Sequence, residues 1–203
     1  MEAFQNNIIF LEIASLLLCL IFFNIFKSKQ FYFFIGYLMF AILADFIGGI
    51  IEVGSDAWLY NIYTFFEYSS VAGIYYFLAN KQLSKKVVFF VSILFYLIYT
   101  ISFIYHPLQR YTVIILHFCV VPFLFLYFQE LLNSKKIINY KKQLFFWITV
   151  GLLIYYFGTL PFITLSFIGE LQNKILWNIP AVILIIMHLI FIVSLIWLRK
   201  IRK

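Results

Sequence analysis

The sequence predicts an all-α, polytopic transmembrane bundle of seven helices, on three observations. Of its 203 residues, 65% are hydrophobic and only 11% charged, whereas soluble domains run at roughly 45–50% apolar and about 25% charged. Apolar runs of about 20 residues, enough to cross a hydrocarbon core, follow one another with short polar interruptions. Basic residues gather in alternate interruptions. Helices are implied rather than a barrel, because a lone segment in lipid must satisfy its own backbone, and a barrel would show short alternating strands.

The polar punctuation sets the spans at about 8–26, 31–51, 57–79, 87–105, 110–132, 144–168 and 175–198. A single transmembrane domain, 1–203, leaves no room for a soluble one. The leader Met1-Glu2-Ala3-Phe4-Gln5 carries an acid and no base, and the first run ends in Lys27-Ser28-Lys29. That is not a small-residue cleavage site, so the run is expected to be a retained span.

Orientation follows from the loops. With the amino terminus outside and the carboxy terminus cytoplasmic, the inner segments hold Lys27 and Lys29; Lys81, Lys85 and Lys86; Lys135, Lys136, Lys141 and Lys142; and Arg199, Lys200, Arg202 and Lys203. These are thirteen of the fifteen basic residues, leaving Arg110 and Lys174 outside with Glu2, Glu52, Asp56 and Glu170. The expected location is a cell membrane, the bacterial inner membrane, crossed several times. The net charge of +7 then serves topology and faces anionic lipid. The bilayer is the expected partner; nucleic acid is not, because the bases are spread over several short loops.

Ionisable side chains inside apolar spans cost at least ~2.5–3.5 kcal/mol and usually face the protein interior. Glu67 stands ten residues into the third span, roughly 15 Å deep at 1.5 Å per residue. Helical spacing puts Tyr60, Tyr63, Thr64 and Ser70 on its side. A packing lock and a ligand- or proton-binding acid both stay open for it. Asp45 shares a face with Ala41, Gly48 and Glu52. Arg110 and His117 are seven apart on the fifth span, and Arg110 is placed to pair with Asp45, Glu52 or Asp56. His188 sits in the last span as a packing residue or a ligand. Glu12 shares a face with Gln5, Ser15 and Cys19 near the outer surface, where partial hydration is expected. With Asn61, Asn178 and Trp177 at the outer ends of two spans, these groups predict a ligand-binding cavity open to the outside.

Several chemistries are excluded or disfavoured. Seven-helix zinc hydrolases need several His, with a pair four apart in a late span; here the last span offers only His188. A retinal protein needs a Lys in that span. No phosphate loop, nucleophile elbow or nucleophile–base set occurs. Cys19 and Cys119 fall in apolar runs and read as packed small hydrophobes. No enzyme activity, metal or cofactor is therefore expected.

Leu59-Tyr60-Asn61-Ile62 opens the third span and Leu176-Trp177-Asn178-Ile179 the seventh. This layout of three spans, a linking span and three more resembles SWEET-type sugar facilitators. The first triple lacks the prolines of that family; Pro122, Pro161 and Pro180 all lie in the second. The pattern Asn61-x-Tyr63-x-x-x-Glu67, with Phe146-Trp147-Ile148 and Leu153-Ile154-Tyr155-Tyr156, is similar to small bacterial seven-helix membrane proteins of unassigned activity. That resemblance implies a receptor-like or sensory module that binds a small molecule and reports to a cytoplasmic signalling protein. The SWEET-like layout implies a small transporter instead.

Overall fold

The computed structural model describes residues 2–50, 57–105, 111–168 and 178–202. Among them the chain forms helices α1 (Glu2–Ile21), α2 (Phe23–Phe26), α3 (Lys29–Gly48), α4 (Ala57–Leu78), α5 (Gln82–Ile104), α6 (Thr112–Leu132), α7 (Leu144–Ile168) and α8 (Asn178–Arg202), with a 3-10 helix at Lys135–Lys142 between α6 and α7. The protein is all-α and polytopic, and it is built for lipid. Large apolar side chains such as Phe10, Phe90, Phe118 and Val193 are each more than 60% exposed.

Among the described residues five helices are long and apolar enough to cross a membrane: Lys29–Gly48, Gln82–Ser102, Thr112–Leu132, Leu144–Leu165 and Asn178–Ile201. The expected seven is corrected to five. The apolar part of α1, Ile8–Ile21, is shorter than a span. Helix α4 has the length but not the hydropathy, because Asn61, Tyr63, Thr64, Glu67, Ser69 and Ser70 interrupt its apolar residues.

The same finding overturns the 3+1+3 repeat and both seven-helix resemblances. The repeat makes α4 the counterpart of α8, yet α8 has a mean hydropathy of 2.9 across its span and α4 does not qualify as one. The chain also divides into two compact units, Met1–Ser28 with Leu131–Lys203, and Lys29–Glu130. A first triple would hold α1, α3 and α4 together, whereas α1 belongs with α7 and α8. The orientation drawn from alternating basic segments rests on seven crossings and loses that premise.

In the discontinuous unit, α8 packs against both α7 and α1. The buried residues of α1, Ile8, Glu12, Ser15 and Cys19, recur at intervals of four and three, and Phe22 just beyond it continues the series. That is the spacing of one helical face. From α7 come Ile148, Leu152 and Tyr156, and from α8 Met187, Phe191, Leu195 and Leu198, all buried. Gly151 lets the two helices close: a Cβ there would stand 2.7 Å from Cε1 of Phe191. Pro180 falls in the first turn of α8, where its missing N–H costs nothing.

In the continuous unit, α4 packs against α3 and α5. Gly73 of α4 leaves space that the Phe33 ring of α3 fills, and Phe40 stacks on Phe66 at 4.1 Å. Towards α5, Tyr68 stacks on Phe95 at 3.7 Å, and Phe123 of α6 closes on the same tyrosine at 6.2 Å. Hydroxyl groups stitch α4 to α5. Tyr99 donates to the Asn61 carbonyl at 2.9 Å, and Tyr68 donates to Ser92 at 3.2 Å. Ser69 gives its proton to the Phe65 carbonyl at 2.6 Å and therefore accepts from Tyr96 at 2.8 Å.

Candidate functional site

The best-defined polar cluster joins α1 to α8. Glu12 and Ser15 are three apart and so project from one side of α1. His188 projects from α8. Glu12 is 2% exposed, His188 1% and Ser15 not at all. Burial of this degree corrects the expectation that Glu12 is hydrated at the outer surface. The packing of α1 on α8 removes it from solvent.

The hydrogen bonds fix the tautomer. Ser15 Oγ donates to the Leu11 carbonyl at 2.8 Å, the back-bond a helical serine commonly makes. Its proton is thereby committed. At its 3.1 Å contact with His188 Nδ1, the hydroxyl oxygen must accept, so Nδ1 carries hydrogen. The other ring nitrogen, Nε2, lies 3.8 Å from Glu12 Oε1. A bare Nε2 facing a carboxylate would be repulsive. Either Glu12 is protonated and His188 neutral, or Glu12 is ionised and His188 cationic. Both forms hold one dissociable proton in the pair and have no net charge. At 3.8 Å the pair is longer than a direct N–H···O bond of about 2.7–3.2 Å, so it is a loose contact.

The ring is held by an edge-to-face contact with Phe191, centroids 5.6 Å apart, and Phe191 in turn lies over Gly151. The other helix against α8 is α7, which contains no Asp, Glu, Lys, Arg or His. Helix α7 therefore brings His188 no charged partner, and the carboxyl facing it is that of Glu12 on α1.

The remaining candidates fall as follows. Glu67 is 5% exposed, on a stripe of α4 with buried Asn61, Thr64, Tyr68 and Val71. Tyr63 and Asp45 are half-buried. His117 is buried on α6 and donates Nδ1–H to the Val113 carbonyl at 2.8 Å, a bond within its own helix. Asn61, Tyr63 and Glu67 share α4, and Asp45 and His117 belong to the same unit. His188 belongs to the other. Asn178 is exposed at the start of α8, unlike buried Asn61. Arg110 and Trp177 lie outside the described residues, as do Glu52 and Asp56. Both cysteines are buried free thiols. Among the described residues no three His, Cys, Asp or Glu side chains gather as a metal site would require.

The pairing of Glu12 with His188 is the feature that sequence reading missed. One signal was present: an acid and a serine at i and i+3 on an otherwise apolar helix need a polar partner, and His188 is alone on the last helix. No family model, curated protein or solved structure matches the chain.

Proposed function

We propose that this membrane protein is a receptor-like or sensory module that registers its signal at the Glu12–Ser15–His188 cluster. The carrying observation is the buried, loose Glu12–His188 contact across two helices, 3.8 Å long. Buried ionisable groups among apolar helices are costly and mark ligand sites or proton relays. A contact that long leaves room for a change of state. A small hydrogen-bonding molecule, or a shift of the shared proton, alters what joins α1 to α8. The changed helix contact then passes to a separate signalling protein. The reading asks for no catalysis.

The test uses the proton as probe. Infrared difference spectra of the full chain in liposomes are recorded between about pH 5 and 8, where histidine-linked switches titrate. A carboxyl band that responds to pH and disappears in Glu12→Gln supports the site. Superimposable spectra of the variant and the wild type overturn it.

A second reading, small-solute transport, is favoured by Pro122 inside α6 and Pro161 inside α7. An internal proline removes a helix hydrogen bond and loosens the helix, as in the broken helices of transporters. Liposomes loaded with a pH-sensitive dye separate the two. A sensor keeps an imposed proton gradient; a proton-coupled transporter dissipates it.

A further inference from the structure

The discontinuous unit carries an open groove between the start of α7 and the length of α8, with a volume of about 540 Å³. Its wall is Ile186, Leu189 and Val193 of α8, its end is Trp147 and Trp197, and Lys141 of the 3-10 helix stands over that end. We propose that this groove is a binding site for one anionic phospholipid, with an acyl chain along α8 and the headgroup phosphate at Lys141.

The geometry has a polar end and an apolar run, in the order a lipid requires. Trp147 donates Nε1–H to the Lys141 carbonyl at 3.0 Å and meets Trp197 edge-on with centroids 6.1 Å apart. The two indoles and the Lys141 backbone are thus tied together, and the Lys141 ammonium stands over the neighbouring Tyr140 ring, 5.8 Å from its centroid. Tryptophan pairs of this kind sit at headgroup level, where one side of the ring is apolar and the other wet. Lys141 lies just outside the α7 span, which begins at Leu144, as an interfacial base should. From Trp197 the groove runs towards Ile186, eleven residues down α8, or roughly 16 Å into the apolar part of the helix. Leu189 and Val193 are 45% and 63% exposed along it. The volume falls in the range of about 300–1,000 Å³ found for small-molecule sites. Charge selects the lipid class: basic pockets between spanning helices take anionic headgroups. A zwitterionic lipid would bring its own cation against Lys141.

The experiment reads tryptophan quenching by lipids brominated on the acyl chain. The full chain has four tryptophans. Trp58→Phe and Trp177→Phe leave only the groove pair emitting. In phosphatidylcholine nanodiscs, brominated phosphatidylglycerol should reach half-maximal quenching at about fivefold lower mole fraction than brominated phosphatidylcholine, the factor expected of one lysine at the surface. Lys141→Gln should bring the two lipids to parity, and Lys86→Gln, on α5, should leave the preference intact. Soluble glycerol phosphate should not relieve the quenching. Equal quenching by both lipids in the unsubstituted background, or a preference that survives Lys141→Gln, overturns the proposal. So does relief by glycerol phosphate, which would make this an anion site with no place for the chain. Crosslinks joining two copies through this face, with no lipid preference, would assign the groove to a second copy.

Discussion

Glu12 on α1 and His188 on α8 face each other across 3.8 Å, both buried. Breaking such a pair from one side costs more than removing both partners, because the survivor keeps its desolvation penalty. Glu12→Ala should therefore lower stability by about 3–5 kcal/mol. Glu12→Gln, which keeps shape and an acceptor, should cost less. The double variant Glu12→Gln/His188→Gln should be less destabilised than the two single costs added, with a coupling of about 0.5–3 kcal/mol. Thermal unfolding in detergent of the four proteins measures the cycle. Strict additivity would mean that the two side chains do not interact.

Ser15 controls which histidine nitrogen holds the proton. Its hydroxyl is spent on Leu11, so it offers His188 only a lone pair. Ser15→Ala should leave Nδ1–H without that acceptor, at about 1–3 kcal/mol. It should also shift the ring towards the Nε2–H form. Nitrogen chemical shifts of labelled histidine distinguish the tautomers. An unchanged His188 signal in Ser15→Ala would remove serine from the cluster.

Gly151 acts on the cluster through Phe191. An added Cβ would stand 2.7 Å from Phe191 Cε1, and Phe191 is 1% exposed, so displacing its ring presses on buried neighbours, His188 among them. Overpacking of this kind costs about 1–3 kcal/mol. Gly158→Ala meets only the tip of Ile183, at 3.2 Å, and should be milder. Unfolding midpoints of the two variants decide it; a Gly158→Ala protein as damaged as Gly151→Ala would refute the mechanism.

These consequences differ in how far they could be read from the chain. Membrane class follows from composition, because no soluble fold hides so many apolar side chains. The number of spans does not, because α4 is long and rich in tyrosine. Tyrosine passes as apolar in a count of residue types but lowers hydropathy, and with Asn61, Glu67, Ser69 and Ser70 it takes α4 below a membrane-spanning value. Helical periodicity puts Thr64 and Ser70 beside Glu67, and all three are buried, while Tyr63, expected on the same side, is half-buried. The partner of His188 does not follow from periodicity, since Ser15 is 173 residues away and nothing local specifies that α1 packs on α8. A division that puts α1 with α7 and α8 is a property of packing, invisible in the order of the spans.

The hydroxyl bonds between α4 and α5 should each contribute little. Interhelical bonds of this kind average about 0.6 kcal/mol in a membrane protein. Tyr96→Phe, which removes the bond to Ser69, should cost about that. Tyr68→Phe should cost no more, since its ring stays stacked on Phe95. Unfolding free energies of the two variants test this, and a loss several times larger in either would make the hydroxyls structural determinants.

Glu130, near the end of α6, offers the clearest test of a terminus held by a side chain. Its Oε2 accepts the Asn80 backbone N–H at 2.8 Å and Asn80 Nδ2 at 3.3 Å, and Oε1 accepts the Lys81 N–H at 3.1 Å. The Ser84 hydroxyl donates to the same carboxylate. Lys81 is the N-cap of α5 and makes no side-chain cap of its own, and the N–H groups of Asn80 and Lys81, leading into the helix, are satisfied from another helix. A carboxylate suits the positive end of the α5 dipole as well as its N–H groups. Glu130→Ala should cost about 0.5–2 kcal/mol, the range for losing a helix cap. Glu130→Gln keeps an acceptor oxygen but loses the charge and should fall between. The loss is local, so it should appear first as opening of the α4–α5 turn. Trypsin cuts after Lys81, Lys85 and Lys86 should accelerate in Glu130→Ala before global unfolding changes. If cleavage there is as slow as in the wild type, the carboxylate does not hold the turn.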